Sequence, residues 1–244
     1  MLPKFTLDKI RFATDPGTFN RATWLYEQGR VTKFAEQPNG YTAIVIGTQP
    51  YEVLVDKDHY DEGRCNCYLG QKDILCKHMV TLAIRAVKGG QDLSREEKLG
   101  VGGITGSNKL GEPTNEELVK VKQLITEAMK CIKPYNGPSR IWFHYQNSLT
   151  EGVNRLAAIF SGLPVSYQTA VLVIKTLLRL DKKLVSGGVD DSDGTVGGLI
   201  EEGVTLLKTF AKLDPACNKA FVFLKNQHTC FDWEKPLLNE YNIK

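Results

Sequence analysis

The sequence predicts an α+β protein, a small antiparallel β-meander with helices followed by a mostly α-helical domain, and three observations predict it. Residues 30–56 hold short aromatic and β-branched runs separated by turn residues. Residues 94–113 are rich in glycine and charge, the composition of a linker or loose loop. Beyond them, apolar residues recur at helical spacing almost to the end. The chain therefore reads as a first domain over 1–90, a Gly-rich linker over 91–113 and an α-helical domain over 114–244.

Each element has a local reason. Asp15 can cap a helix over Asp15–Gln28, Pro16 suits its first position and Gly29 its end. Phe19, Ala22, Thr23 and Tyr26 then share one face. Arg30–Glu36 and Tyr41–Ile46 flank a Pro38-Asn39-Gly40 turn, and Gly47–Pro50 leads into Tyr51–Asp56, giving three strands in meander order. Ile74–Val87 has helical spacing, with Leu75, Met79, Leu82, Ala83, Ala86 and Val87 on one side and Gly89-Gly90 to end it. Further helices are expected over Asn115–Ile132, Tyr145–Phe160, Ser166–Leu184, Val196–Leu213 and Pro215–Lys225, with a shorter one after Asp232.

Composition excludes several classes. A hydrophobic share of 42% with 24% charged residues is that of a folded globular chain, not a disordered one. Residues 1–90 hold 12 Lys/Arg against 10 Asp/Glu, and 113–244 hold 16 against 14, so neither has the basic excess of a tight DNA binder. Met1 to Pro16 has no apolar core of signal-peptide length. The most apolar run, Ala170 to Leu180, is broken by Lys175 and Arg179, too short and too charged to cross a membrane. The expectation is a soluble, cytoplasmic protein without a membrane partner. In that reducing setting six cysteines are a poor disulfide framework, and clustered ones are better read as metal ligands.

Three of those six fall between Cys65 and Cys76. The pattern is Cys65-Asn66-Cys67, eight residues, then Cys76-Lys77-His78. Three thiolates and an imidazole are a tetrahedral donor set for zinc. Cys-x-Cys suits a strand end or knuckle, where Asn66 tolerates unusual backbone angles. Cys76 is expected at or before the first regular turn of the next helix, capped by Asp73 or a neighbour, where the helix N-terminus favours a thiolate. A four-ligand set leaves no open coordination position, so one structural zinc is expected on Cys65, Cys67, Cys76 and His78. Arg64, Lys72 and Lys77 stand close enough in sequence to offset its negative charge.

Cys-x-Cys, a spacer and Cys-x-His at the head of a helix resemble the SWIM zinc finger. The surroundings are similar too: Tyr26 with Gly29-Arg30-Val31, the strand pair Tyr41–Ile46 and Tyr51–Val55, and the ending Cys76-Lys77-His78-Met79. The resemblance covers roughly residues 15–90 and looks like the stand-alone prokaryotic kind. It implies a DNA-binding or protein-interaction module, and it does not extend to residues 113–244.

Other signals are weaker. Lys77, Thr81, Arg85 and Lys88 fall on one helical face opposite the apolar one, as a groove-entering helix would have them, or any solvated face. Trp24, Tyr41, Tyr51, Tyr60 and Tyr68 could stack on bases, although core and strand roles explain most of them. His228, Cys230 and Asp232 lack a second ligand pair at useful spacing, with Cys131, His144 and Cys217 scattered. Asp190, Asp191 and Asp193 before Gly194 do not make a calcium loop, because Val189 and Ile200 occupy its first and closing positions. Gly100–Gly106 lacks the Gly-Lys-Ser/Thr of a phosphate loop. With no catalytic motif, the reading is a non-enzymatic zinc module that binds nucleic acid, DNA before RNA, through Arg64, Lys72, Lys77, Arg85 and Lys88. The rival is a protein-interaction adaptor in which zinc is purely structural.

Overall fold

In the computed structural model, which describes residues 2–138 and 142–243 without the side chains of 143 and 144, the meander is a four-stranded antiparallel sheet. Its strands are β1 (Val31–Gln37), β2 (Gly40–Ile46), β3 (Pro50–Asp56) and β4 (Gly63–Cys65), in that spatial order. The sequence reading expected three strands. The fourth has three residues, too few to show a period-two pattern. Tyr41, Ala43 and Val45 of β2 and Val53 and Val55 of β3 are buried, with Tyr41 opposite Val55 and Ala43 opposite Val53. The intervening residues point to the other face, where Glu52 and Leu54 are exposed.

Two helices precede the sheet. α1 (Leu7–Ala13), unread in the sequence because its seven residues show barely two turns, is capped by Thr6, whose hydroxyl accepts from Lys9 N. α2 (Pro16–Glu27) follows the predicted rules: Asp15 Oδ1 accepts from Thr18 N at 2.9 Å, Pro16 opens the helix and Gly29 turns left-handed after it. After the sheet, α3 (Lys77–Lys88) starts later than its apolar pattern suggested. Val80, Leu82, Ala83 and Ile84 are fully buried because α3 packs on the sheet with one side and on α2 with another.

The chain is α+β and divides into two compact units, Met1–Val101 with Arg140–Asn147, and Gly102–Ser139 with Ser148–Lys244. The glycine-rich stretch expected as a linker carries turns and one isolated bridge, and its backbone is pinned within each unit. In the first, Gly100 N donates to Asn20 Oδ1 at 2.7 Å, and Leu99 O accepts from Arg11 Nε at 2.8 Å. In the second, Ile104 N donates to Glu202 Oε2 at 2.8 Å and Thr105 N to Ser161 Oγ at 3.0 Å.

The second unit is helical: α4 (Asn115–Cys131), α5 (Trp142–Gly162) from Ser148 onward, α6 (Tyr167–Val185), α7 (Thr195–Leu213) and α8 (Lys235–Glu240). Thr114 with Glu117 and Ser166 with Thr169 form capping boxes on α4 and α6. At the head of α7, the two carboxylate oxygens of Asp191 accept from Val196 N and Gly197 N at 2.7 and 2.8 Å. That is helix capping by the acidic run. Pro215–Leu224, expected as an α-helix, is a 3-10 stretch packed on α6 and α7. No helix among the described residues is long and apolar enough to cross a membrane.

Asp181 of α6 ties down the C-terminal segment. Its carboxylate, 7% exposed, accepts from Cys230 N at 2.7 Å and from Trp233 Nε1 at 3.0 Å. Asp181→Ala leaves both donors without their acceptor, so it is expected to destabilise the helical unit by about 1–3 kcal/mol. Urea denaturation followed by tryptophan fluorescence checks this.

Candidate metal centre

Strand β4, a 3-10 turn and the head of α3 bring the candidate ligands together. β4 ends at Cys65, whose register opposite Val53 turns it to the α3 side of the sheet. Asn66 then extends the ladder by side chain and backbone: its Oδ1 accepts from Glu52 N at 3.1 Å and its N–H donates to Glu52 O at 3.3 Å. It does not take a left-handed backbone; that conformation falls to Asp73, at φ 57°. Asp73 closes a 3-10 turn, Gly70–Lys72, and does not cap α3. Cys76 occupies the N-cap position itself, with extended φ and ψ of −119° and 161°, and His78 sits in the first turn.

The knuckle closes around Cys65 through one close approach. A Cβ on Gly70 would lie 2.3 Å from Cys65 O and 2.5 Å from Cys65 Cβ, so only glycine fits. The same residue donates its N–H to Cys67 Sγ at 3.4 Å. This glycine was not legible in the sequence, because the backbone it must approach, Cys65, is fixed only by the fold.

The four side chains are buried, and one ligand atom from each lies within 4.8 Å of all the others. His78 Nδ1 is 3.7 Å from Cys65 Sγ and 3.9 Å from Cys76 Sγ. A tetrahedron with metal–sulfur bonds of about 2.3 Å and metal–nitrogen bonds of about 2.0–2.1 Å has N–S edges of about 3.6 Å. Both imidazole–sulfur distances are close to that edge, and the donor set is compatible with one metal ion. Among the described residues this is the single group of its kind. His144 lies outside the described side chains, while Cys131, Cys217 and Cys230 do not join the cluster.

Electrostatics favour a thiolate at the helix head. The Cys76 thiol is pushed down, first by a hydrogen bond from Cys65 and further by His78 and by Met79 N–H at the start of α3. Cys65 is pushed up by the same contact, since it keeps the proton it shares with Cys76, and burial adds to this.

The five basic residues differ in exposure and in partners. Arg64 and Lys72 are exposed and Lys77 half-buried, but Arg85 lies 5.0 Å over the Phe34 ring and Lys88 pairs with Glu97 at 3.2 Å. Lys72 itself lies over Tyr68, with Nζ 2.6 Å from the phenol oxygen. Thr81, expected on the solvent face, is fully buried; its hydroxyl donates to Lys77 O and Ala22 O, because α2 covers that side. Of the candidate stacking residues, Tyr41 and Tyr60 are core, whereas Trp24 and Tyr68 are exposed.

Sequence reasoning also missed a groove of about 730 Å³ on the open face of the sheet, lined by Thr42, Ile44 and Leu54 with Lys33, Glu52 and Arg64. The available signal was β2 itself, Tyr41-Thr42-Ala43-Ile44-Val45-Ile46, which is apolar on both faces. Compared with known proteins, the chain matches no family model, no curated protein and no solved structure.

Gly70→Ala is expected to force the knuckle off Cys65, lowering stability by about 1–3 kcal/mol as other overpacked sites do. Elemental analysis of the purified variant should find less bound metal than in the parent; equal metal content would mean that the knuckle does not need this approach.

Proposed function

We propose that Cys65, Cys67, Cys76 and His78 hold one structural zinc ion, and that the chain is a non-enzymatic, SWIM-type binding module with a helical accessory region. The convergence of four buried ligand atoms within 4.8 Å carries this reading. Three thiolates and an imidazole complete a zinc tetrahedron, which leaves no position for a substrate to coordinate. The ion's work is then done on the fold. Zinc sites of this type contribute about 10–16 kcal/mol at neutral pH, comparable to the stability of a whole domain.

The partner we favour is a protein segment seated in the groove of the open sheet face. Its lining mixes Thr42 and the apolar Ile44 and Leu54 with charges of both signs, Lys33 and Arg64 against Glu52. A polyanion would meet repulsion from Glu52, whereas a peptide can complement both signs. Nucleic acid, DNA before RNA, is the second reading. The exposure of Arg64, Lys72 and Tyr68 favours it, since two cations and a stacking ring stand near the knuckle.

Elemental analysis is expected to find one zinc per chain. Cys76→Ser is expected to abolish that zinc and to unfold residues 1–90 at lower temperature, with most helical signal from 113–244 retained by circular dichroism. Uniform loss of both would mean that the zinc supports a single shared core.

Titration with single- and double-stranded DNA at rising salt separates the partners. The protein-segment reading expects no steep dependence. A log–log slope of about 0.9 per neutralised phosphate, lost in Arg64→Glu with Lys72→Glu, would establish the nucleic-acid reading instead.

A further inference from the structure

The His78 ring presents Nδ1 to the cysteine sulfurs, at 3.7 and 3.9 Å, and turns Nε2 away from them. Nε2 is buried and has no hydrogen-bond partner among the described residues. Metal-ligating histidines ordinarily donate their second N–H to a carboxylate, a carbonyl or a water, which fixes the ring. Here the surroundings are steric instead. The Tyr51 ring stacks on the imidazole with centroids 4.1 Å apart and planes 22° from parallel. Across the ring edge stands Gly47, where a Cβ would lie 2.9 Å from Nε2 and 3.0 Å from Tyr51 Cε2. Tyr51 is held in turn by its hydroxyl, 2.9 Å from Thr48 Oγ1. Both residues belong to the β2–β3 hairpin, whose register Ile46 opposite Pro50 sets the turn between them.

We infer that Gly47 and Tyr51 are positioning residues for the metal: they form a slot that orients His78 so that Nδ1, and not Nε2, is the ligand. This rests on the zinc reading above. Nδ1 is the ring nitrogen nearer the backbone. It suits an ion that Cys76, only two residues earlier, must also reach. The slot replaces the missing hydrogen bond. A stacked face stops the ring from tilting, and a glycine without a side chain leaves room for its outer edge. A bulkier residue at 47 would push the imidazole off the sulfurs.

The test uses the full chain loaded with zinc. Long-range proton–nitrogen correlation spectra of the His78 ring distinguish a metal-bound Nδ1 from a metal-bound Nε2, and Nδ1 is expected. In chelator competition, Tyr51→Leu and Gly47→Ala are each expected to weaken zinc binding by about 10–100-fold, the range seen when supporting residues around a ligand are lost. Tyr51→Phe, which keeps the stacked ring, is expected to retain the parent's affinity. Ligation through Nε2, unchanged affinity in Tyr51→Leu, or equal losses in Tyr51→Leu and Tyr51→Phe would each overturn the inference while leaving the zinc reading intact. A parent chain that takes up no zinc would overturn both. If Tyr51→Leu does not fold, the spectrum of the parent still decides which nitrogen ligates.

Discussion

The first unit depends on one helix being buried from two directions. α3 touches every other helix and strand between residues 2 and 101: α1, α2 and all four strands. A helix in that position needs apolar or internally bonded side chains around most of its circumference, and His78, Met79, Val80, Thr81, Leu82, Ala83 and Ile84 are consecutively buried. Thr81 meets the demand by donating its hydroxyl to backbone carbonyls. The N-terminal end of the same helix is committed to the cysteine knuckle. The packing that holds the sheet and the geometry of the metal centre are therefore properties of a single element.

Local rules explain what was legible in the sequence. Asp15, Pro16 and Gly29 bounded α2 because caps act within a turn of the residue that supplies them. The hairpin of β2 and β3 announced itself through alternation and turn residues. The grouping of Cys65, Cys67, Cys76 and His78 was legible because all four lie within fourteen residues and their chemistry is distinctive. Neighbours distant in the chain were not legible. A helical wheel told which residues of α3 share a face, but not that α2 would cover a second face, so Thr81 was assigned to solvent and Arg85 to a partner when Phe34 already faces it. β4 and α1 are too short to show a period. The choice between 3-10 and α geometry over Pro215–Leu224 turns on packing against α6 and α7.

Charge behaves differently from metal ligation in this respect. A cysteine two residues from another keeps its meaning wherever the chain goes, whereas a lysine is a binding residue or a spent one depending on what stands opposite. Lys88 met Glu97, nine residues on. Arg64 and Lys33 instead border a groove that also contains Glu52, so their charge is set against an acid on the same surface. Counting basic residues along a helix overstated the cationic surface for this reason.

Burial of the centre has a consequence in time as well as in energy. The four ligand residues are between 1% and 8% exposed, beneath the knuckle and the first turn of α3. Burial this deep leaves solvent, chelators and oxidants little access to the sulfurs in the closed form. Release of the zinc proposed above would then follow how often this small segment opens, more than the intrinsic lability of metal–thiolate bonds. An oxidant meets the same gate, because the thiols it would attack become accessible in the same open form. Exchange of labelled metal would thus act as a clock for breathing at the junction of β4 and α3, ticking at a rate that the remainder of the fold sets.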